Sequence, residues 1–299
     1  MKVYAVIITF NPEIFLLEKE YLSVVSQVGH IVYVDNCSRN KESIYNWSKD
    51  KRNASFIWLD ENEGLGTAQN VGIKLALERD ASHVIIFDQD TVVNMDFVKS
   101  LLETEKKAIS DGVNVGMIGP VYKSHDDDFP YPVWSLENDK LIKIPQDDID
   151  DYREVTHIIA SGSLIRREVF VSVGLMREDL FLGYIDFEYC FRVAQHGFKI
   201  IVTNNACMRH QMGDRQIIIH GRKIGLYSPF RRYFDCRNTI LIQNDKVFPK
   251  VIRRYYLKLI IGKFFVSILY GPQRWKQLIY CIRGFYDGIC GKTGKCNLS

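Results

Sequence analysis

The sequence has no apolar run long enough to cross a lipid bilayer. A spanning helix needs about 20 consecutive apolar residues, and the most apolar C-terminal stretch, residues 255–271, is interrupted by Lys258 and Lys263. The apolar start at residues 3–10 is short, lacks a small-residue cleavage site and continues into Asn11 and Pro12, unlike a secretory signal. We therefore predict no transmembrane helix and interpret the first apolar run as a buried strand.

Paired cysteines are missing as well. The chain has seven Cys, an odd number without any CxxC pair, at positions 37, 190, 207, 236, 281, 290 and 296. This pattern argues against a disulfide framework or a zinc cluster. Free thiols at these positions fit a reducing cytosol.

Acidic residues are scarce at the C-terminal end. Residues 215–299 contain 17 Lys and Arg but only 3 Asp and Glu, although the whole chain has a net charge of only +3. The residues before this segment are therefore net acidic. The overall composition, 46% hydrophobic and 25% charged, is typical of a globular protein, and the charge asymmetry indicates two different partners.

The first third of the chain alternates strand-like and helical patterns. Strands are predicted at residues 3–9, 31–35, 55–59 and 84–88, and helices at residues 14–28, 41–51 and 66–79. Helical crossovers of this length predict parallel strands in an open, doubly wound α/β sheet. Ligands bind such sheets at the carboxyl ends of the strands. The polar residues that follow three of these strands are Thr9, Asn11, Asp35, Asn36, Asp88, Gln89 and Asp90.

The later part of the chain is less regular. Residues 122–154 lose their periodicity and carry acidic clusters, which indicates a surface excursion or a lid. We then predict a strand at residues 157–166, a short helix from Glu168 to about Gly174, a loop leading into a helix at residues 181–196, and a strand at residues 198–202. Beyond Arg215 the spacing is mostly helical.

Two carboxylates follow the apolar strand at residues 84–87. Asp88 and Asp90 occupy positions i and i+2 of a strand-to-loop turn, where both can face one hard cation. Mg²⁺ or Mn²⁺ takes oxygen ligands and bridges diphosphate oxygens, which offsets charge on a departing nucleoside diphosphate. The same pair is common as a solvated turn, but its position after a fourth parallel strand favours a cation site.

A glycine-containing segment, residues 60–72, opens the third helix. Glycines there let the backbone approach a ligand, and a helix N-terminus favours anions. An ordinary strand–loop–helix connection would explain the glycines equally well, and the dinucleotide-binding pattern GxGxxG is absent.

These motifs taken together resemble a known family. Residues 8–11, 34–38, 62–66 and 88–90, with Asn70 and Gly72, have the order and spacing of the family 2 glycosyltransferases of the GT-A fold. Residues 181–192 resemble the acidic acceptor-site motif of that family, and residues 209–213 resemble its terminal His-x-x-Gly. The closest likeness is to the bacterial rhamnosyltransferases of O-antigen and capsule assembly, whose Phe-Asp-Gln-Asp block matches residues 87–90. The resemblance covers about residues 3–240.

The resemblance implies a GT-A fold, which is a Rossmann-like, mostly parallel sheet flanked by helices. It implies a catalytic domain at residues 1–240, with a nucleotide-binding half at 1–120 and an acceptor-binding half at 121–240. A basic amphipathic helical extension would follow at residues 241–299.

The resemblance also implies roles for single residues in donor binding. Asp35 would contact a pyrimidine base, Asp88 would lie near the ribose or the metal, and Asp90 and His210 would complete a site for Mn²⁺ or Mg²⁺. A neutral imidazole suits Mn²⁺, whereas Mg²⁺ prefers oxygen, and the plain alternative for His210 is a surface or hydrogen-bonded residue. The nucleoside pocket would be lined by Thr9, Asn11, Asn36, Asn62, Gly66 and Asn70.

An inverting transfer needs one general base beside the acceptor hydroxyl. By the resemblance this base is Asp186, but Ile185 stands where the family usually has Glu, and Glu188 is the second candidate. Alternatively, both acids belong to an acidic helix start, in which Glu188 and Arg192 form a solvated i,i+4 pair.

Basic and aromatic residues alternate from residue 251 onward. This pattern is typical of a helix that lies on anionic lipid, and nucleic-acid binding or a basic helical cap on the core would give a similar pattern. The acceptor of the subgroup that the chain resembles is usually a lipid-linked sugar. We therefore expect an anionic membrane surface as a partner and no nucleic acid.

The function that this resemblance implies is an inverting transfer of L-rhamnose from dTDP-L-rhamnose to a polyprenyl-diphosphate-linked glycan. The enzyme would work in the cytoplasm, peripherally at the inner face of the cell membrane. Two alternatives stay open: a UDP-sugar-dependent transferase of the same family, and a non-catalytic protein that binds sugar nucleotides or nucleic acid.

Overall fold

The computed structural model describes residues 2–124, 129–210, 215–219 and 222–296. The strands of its first part are β1 (Val3–Thr9), β2 (His30–Asp35), β3 (Ala54–Trp58), β4 (His83–Asp88) and β5 (Val115–Ser124). The helices between them are α1 (Ile14–Val24), α2 (Lys41–Ser48), α3 (Leu65–Glu78) and α4 (Phe97–Ser110).

The later strands are shorter, apart from β10. They are β6 (Val133–Glu137), β7 (Lys140–Ile144), β8 (Arg153–Glu154), β9 (Ser163–Arg166), β10 (Lys199–His210), β11 (Arg215–Ile219) and β12 (Arg222–Leu226). The later helices are α5 (Arg167–Val173), α6 (Ile185–Gln195), α7 (Pro229–Leu241), α8 (Lys250–Tyr270) and α9 (Arg274–Ile289).

One mixed, mostly parallel sheet of eight strands lies at the centre, in the order β3-β2-β1-β4-β9-β5-β10-β8. The predicted parallel strands are confirmed, since β1 pairs in parallel with β2 and with β4. In this register Thr9 lies opposite Asp35, and Ile8 lies opposite Asp88. The polar carboxyl ends of three strands therefore meet at one edge of the sheet.

Helices cover both faces of this sheet. Alternate residues of β1 point to opposite sides: Val6 packs in a cluster with residues of α3 and α6, whereas Ile7 packs in a second cluster with residues of α1 and α4. Full burial of one such aliphatic side chain contributes about 1.5–3 kcal/mol to stability. The two buried clusters hold the strand ends in fixed relative positions.

Several predicted boundaries differ from the structure, three of them by four residues or more. Helix α1 ends at Val24, four residues before the predicted end. The strand predicted from residue 157 begins only at Ser163, because Gly162 adopts a left-handed φ of +79° in the turn before it. Strand β10 continues well past residue 202, since pairing with β5 resumes after an irregularity that follows Thr203.

The excursion predicted at residues 122–154 contains a hairpin of β6 and β7. Tyr131, Val133, Ile144 and Ile149 are buried, so the described part of this segment packs onto the core rather than standing free. The acidic residues 126–128 lie outside the described part. Beyond Arg215 the chain first forms a hairpin of β11 and β12, where helical spacing had been predicted, and helices begin at Pro229.

The last helix packs closely on α7. A Cβ atom on Gly284 would lie 2.5 Å from the carbonyl oxygen of Tyr233, and one on Gly288 would lie 2.7 Å from that of Arg237. The buried Asp287 accepts a hydrogen bond from the Tyr233 hydroxyl at 2.9 Å. Among the described helices, none combines the length and hydropathy needed to cross a membrane.

Candidate active site

Asp35 is the last residue of β2 and is almost fully buried. One carboxylate oxygen accepts hydrogen bonds from the Thr9 hydroxyl at 2.9 Å and the Ser38 hydroxyl at 2.5 Å, and the other accepts from the backbone N–H of Ser38 at 2.9 Å. These three donors fix the carboxylate at the polar edge of the sheet. The sequence placed Thr9 and Asp35 together correctly, but gave no signal for the role of Ser38.

Amide side chains connect the loops beside Asp35. The Asn36 amide donates to the Asn62 side-chain oxygen at 3.1 Å, and its own oxygen accepts from the backbone N–H of Glu63 at 2.9 Å. In the loop after β1, the Asn11 side chain accepts from the backbone N–H of Arg39 at 2.7 Å. Three predicted pocket residues, Asn11, Asn36 and Asn62, therefore hold the loops after β1, β2 and β3 in one arrangement.

Gly66 and Asn70 of α3 face protein rather than an open surface. A Cβ atom on Gly66 would lie 2.6 Å from the carbonyl oxygen of Arg177. The buried Asn70 amide donates to Met176 O at 2.8 Å and to the Glu178 carboxylate at 2.7 Å, and its oxygen accepts from Met176 N–H at 2.8 Å. Both residues thus dock α3 against residues 176–178. Their predicted contact with a nucleoside stays a prediction.

The Asp88-Gln89-Asp90 turn is braced from two sides. The backbone N–H of Asp88 donates to the Ser161 hydroxyl at 3.0 Å, and the Gln89 side chain accepts from the backbone N–H of Phe10 at 2.8 Å. The Asp88 side chain is half-buried and that of Asp90 is exposed. The turn is therefore fixed while a carboxylate remains accessible to a ligand.

This pair of carboxylates fits a hard divalent cation. Mg²⁺ and similar ions are usually held by one or two carboxylates together with substrate phosphates and water. Within the described residues no three His, Cys, Asp or Glu side chains form a complete metal cluster. A cation at Asp88 and Asp90 would have coordination positions for a bound diphosphate, for water and for a further protein ligand such as His210.

His210, the third predicted metal ligand, ends β10 opposite Ser124 of β5. Its side chain lies outside the described part of the chain, and so do residues 211–214 of the His-x-x-Gly motif. The predicted role of His210 stays a prediction.

A loop with unusual backbone geometry leads into α6. Phe181 and Tyr184 have left-handed φ values of 63° and 65°, which are uncommon for bulky residues and cost about 1–3 kcal/mol each. The buried Asn238 amide of α7 donates to Leu180 O at 3.0 Å and to Leu182 O at 2.9 Å. The neighbouring Arg237 also donates to Leu180 O, at 2.8 Å. These bonds from α7 hold the loop in its strained form.

Asp186 lies in the first turn of α6, directly after this loop, and its side chain is half-buried. Burial raises the pKa of Asp186 to about 6, although the backbone N–H groups of Phe187 and Ala160 and the charge of Arg231 act in the opposite direction. The Phe187 N–H donates to its carboxylate at 2.9 Å. A carboxylate with a pKa near neutrality is suited to accept a proton as a general base.

Glu188 has a different environment. It is 3% exposed, and its two oxygens accept from Nε and Nη2 of Arg192, each at 2.9 Å. The predicted i,i+4 pair is therefore present, but it is buried and bidentate rather than solvated. Of the two candidate bases, Asp186 is the one that has no ion-pair partner among the described residues.

A run of small residues joins the two halves of the site. Asp186 lies beside the backbone N–H of Ala160, and Ser161 accepts from the backbone of Asp88. The backbone of Asp88 and the carboxylate of Asp186 therefore contact consecutive residues of one segment. In the sequence, only the small side chains at residues 160–163 indicated that this segment lies between Asp88 and Asp186.

Arg231 is a site residue that the sequence did not single out. It is exposed in the first turn of α7, its guanidinium lies over the Tyr227 ring at 4.8 Å, and its charge acts on Asp186. No carboxylate within the described residues forms an ion pair with it. A cation in this position can stabilise an anion near Asp186.

Comparisons with known proteins find relatives that match most of the chain. A family model described as Glycosyl transferase family 2 matches residues 4–174, more than half of the chain. The chain is 31% identical over 297 residues to the dTDP-rhamnosyl transferase RfbF of Shigella flexneri, covering 98% of this chain and 97% of that protein. It is 24% identical to the low-salt glycan biosynthesis hexosyltransferase Agl10 of Haloferax volcanii, covering 93% and 88% of the two chains.

Solved structures with the same fold include two glycosyltransferases. TarS residues 1–349 of S. aureus, in complex with UDP-GlcNAc, align with a TM-score of 0.55 at 16% identity, covering 97% of this chain and 82% of that one. GalNAc-T7 with UDP, GalNAc and Mn²⁺ aligns with a TM-score of 0.55 at 15% identity, covering 90% of this chain and 57% of that one. At this identity the likeness concerns the GT-A fold alone.

Proposed function

The chain belongs to glycosyl transferase family 2, and from this premise we propose that it is an inverting rhamnosyltransferase. The donor is dTDP-L-rhamnose, and the acceptor is a polyprenyl-diphosphate-linked glycan of O-antigen or capsule synthesis. The observation that carries the proposal is the 31% identity to a dTDP-rhamnosyl transferase over nearly the full length of both chains. A match of this extent includes the acceptor side and the C-terminal helices as well as the nucleotide-binding half.

The donor binds at the polar edge of the sheet. Asp35, fixed by Thr9 and Ser38, contacts the pyrimidine base, while the loops that Asn11, Asn36 and Asn62 hold together border the nucleoside. Asp88 and Asp90 are the residues that would hold Mn²⁺ or Mg²⁺ next to the diphosphate. When bound, the cation neutralises negative charge on the departing nucleoside diphosphate.

Asp186 removes the proton from the acceptor hydroxyl. The acceptor oxygen attacks the anomeric carbon from the face opposite the diphosphate, the bond from that carbon to the diphosphate oxygen breaks, and the configuration inverts. Asp186 then releases the proton to solvent. The pKa of about 6 supports this role, because most Asp186 side chains are deprotonated at neutral pH.

The basic extension at residues 241–299 keeps the enzyme at the inner face of the cell membrane. Residues 246–296 contain eleven Lys and Arg and a single acidic residue, Asp287. Attraction of these cations to anionic lipid supports a peripheral location, near an acceptor that is itself anchored in lipid.

Two substitutions separate donor binding from chemistry. We expect Asp90→Ala to abolish transfer and the Mn²⁺-dependent part of dTDP affinity, because a metal-binding carboxylate is lost. Asp186→Asn should bind dTDP like the wild type but lower kcat by about 100-fold to 10,000-fold, the usual contribution of a general base. Calorimetric titration with dTDP and measurement of dTDP release from dTDP-L-rhamnose give the two quantities.

Asp80→Asn, in an exposed turn at the other end of the sheet, is the matched control and should leave both quantities unchanged. Wild-type transfer by Asp90→Ala would contradict the metal role. If the wild type turned over UDP-glucose or UDP-GlcNAc but not dTDP-L-rhamnose, the donor would be wrong and the UDP-sugar alternative correct.

A further inference from the structure

Large apolar side chains cover the outward face of α9. We call them the outer stripe of α9, and each is between 56% and 79% exposed. Successive members are four or three residues apart, so they share one face of the helix. The outer stripe consists of Trp275, Ile279, Ile282, Tyr286 and Ile289.

The inward face of α9 is made of small and polar residues. Gln277, Cys281, Gly284 and Gly288 are spaced by four, three and four residues and contact α7 and its surroundings. A surface helix of a soluble protein normally turns its large apolar residues inward. In α9 Tyr280 and Phe285 are partly buried in this way, whereas the outer stripe stays exposed, which indicates that the stripe has an apolar partner.

The C-terminal half of α8, a neighbour of α9, also carries exposed apolar side chains. Ile261, Phe265 and Leu269 are spaced by four residues and are all at least half exposed. The two helices are in contact, since the rings of Phe264 and Phe285 lie 6.0 Å apart. The exposed apolar area is therefore larger than one helix face.

Charge distinguishes between the possible partners. Cations flank the outer stripe: Arg274 and Lys276 lie at its start, and Arg283 lies beside its centre. The single acidic residue of residues 246–296, Asp287, is buried and forms ion pairs with Arg283 and Lys292. A second copy of the chain would bring like charges together. An anionic lipid surface accepts both the cations and the apolar side chains.

We propose that the outer stripe of α9, together with Ile261, Phe265 and Leu269 of α8, inserts into the headgroup region of an anionic bilayer. This inference rests on the proposed function and specifies which side chains carry its membrane contact. The start of α9 is also tied to the acceptor side, because Gln277 Nε2 donates to Tyr227 O at 2.8 Å and Tyr227 lies beneath Arg231. These contacts connect the start of the stripe to Arg231, whose charge acts on Asp186.

The test uses the full chain and vesicles of phosphatidylcholine with or without phosphatidylglycerol. The triple variant Ile279→Ser, Ile282→Ser, Tyr286→Ser should bind the phosphatidylglycerol vesicles at least about tenfold more weakly than the wild type. Trp275 fluorescence should shift to the blue on binding and be quenched by brominated acyl chains. A Trp275→Phe variant identifies which part of the signal belongs to this tryptophan.

The matched control is Leu22→Ser, Tyr45→Ser, Val171→Ser, whose original side chains are equally exposed on other helices. It should bind vesicles like the wild type. The proposal would be overturned if the outer-stripe variant bound vesicles as tightly as the wild type. It would also be overturned if the wild type were a dimer and the variant a monomer that binds vesicles equally well, because the stripe would then be a dimer interface.

The dTDP affinity of the outer-stripe variant should equal that of the wild type. This readout separates the inference from the proposed function: a chain that binds vesicles but does not turn over dTDP-L-rhamnose would refute the function and leave the membrane surface intact.

Discussion

The proposed base Asp186 and the nearby cation Arg231 matter most for the pH dependence of the proposed reaction. Burial raises the pKa of Asp186 to about 6, and the positive charge of Arg231 keeps the pKa from rising further. Only the deprotonated carboxylate accepts a proton. Activity should therefore increase as the pH rises through about 6.

Arg231→Gln removes that charge, so we expect the pKa of Asp186 to rise and the acidic limb of the kcat/KM profile to move to higher pH. The loss of activity should be larger at pH 6 than at pH 8, whereas Arg231→Lys should restore most of the wild-type profile because it keeps the charge. Profiles measured with dTDP-L-rhamnose from pH 5 to 9 test this. An unshifted limb in Arg231→Gln would show that Arg231 does not act on the base.

Glu20 is a second carboxyl group with a perturbed pKa, and it lies in the core. One oxygen accepts from the Tyr33 hydroxyl at 2.7 Å, and burial raises the pKa of Glu20 well above its ordinary value. The folded protein therefore holds this proton more tightly than the unfolded chain. The stabilisation is complete below the unfolded pKa of about 4.3 and is lost as the pH rises through the folded pKa.

Glu20→Gln keeps a hydrogen-bond acceptor for Tyr33 but cannot ionise. Relative to the wild type, we expect its free energy of unfolding to increase as the pH is raised from 5 to 9. In this range the unfolded wild-type chain releases the Glu20 proton that the folded state retains, so the wild type loses stability, whereas the variant does not. Urea unfolding at several pH values measures this difference. A constant difference across that range would mean that Glu20 does not titrate differently in the folded and unfolded states.

Helix α7 connects the C-terminal helices to the strained loop before Asp186. Its Arg237 and Asn238 hold the carbonyl groups of residues 180 and 182, and its other side receives Gly284 and Gly288 of α9. The position of the proposed base therefore depends on how closely α9 packs on α7.

Gly284→Ala tests this packing. Its methyl group would lie 2.5 Å from the backbone oxygen of Tyr233, so α9 must shift, and we expect a loss of about 1–3 kcal/mol in the free energy of unfolding. The control Gly262→Ala, in α8, meets no atom within 4 Å and should instead stabilise by up to about 1 kcal/mol through helix propensity. Urea unfolding and limited proteolysis of both variants provide the comparison, and equal effects would argue against a close contact at Gly284.

The sequence predicted the elements of the first 90 residues well because each one combines a single periodicity with burial. It did not predict the direction of β9, which runs antiparallel between β4 and β5, or the hairpin of β11 and β12. Periodicity reports which side of a segment is buried, but the pairing partner is set by contacts distant in sequence. Such contacts leave no local pattern.

At the scale of the whole molecule, site residues could be predicted only where a general rule of sheet topology places them, because contacts distant in sequence leave no local pattern. Thr9, Asp35 and Asp88 follow from a general rule, since the carboxyl ends of parallel strands meet at one edge. Gly66 was interpreted as a ligand-approach glycine, but the neighbour that comes close is Arg177, over a hundred residues later in the chain. A glycine in a sequence indicates a close approach of other atoms, but it does not indicate whether those atoms belong to a ligand or to a distant part of the chain.

The basic C-terminal segment and the net acidic remainder of the chain form different surfaces of the protein. Of the 17 Lys and Arg in residues 215–299, 11 lie in the described helices α7 to α9. The polar strand edge with Asp35, Asp88 and Asp90 belongs to the net acidic remainder of the chain. The two partners that this asymmetry indicates, a nucleotide and a lipid surface, would thus meet the protein on different elements.

The two faces of α9 have a practical consequence for anyone who shortens the gene. A stop codon before residue 274 would remove the apolar stripe, but it would also uncover Tyr233 and Arg237 and take away Asp287, the hydrogen-bond partner of Tyr233. Such a truncation would disturb the packing of α7 together with the stripe, so it cannot isolate the contribution of the stripe. Replacing the outward side chains one by one keeps α9 packed on α7 and changes the stripe alone.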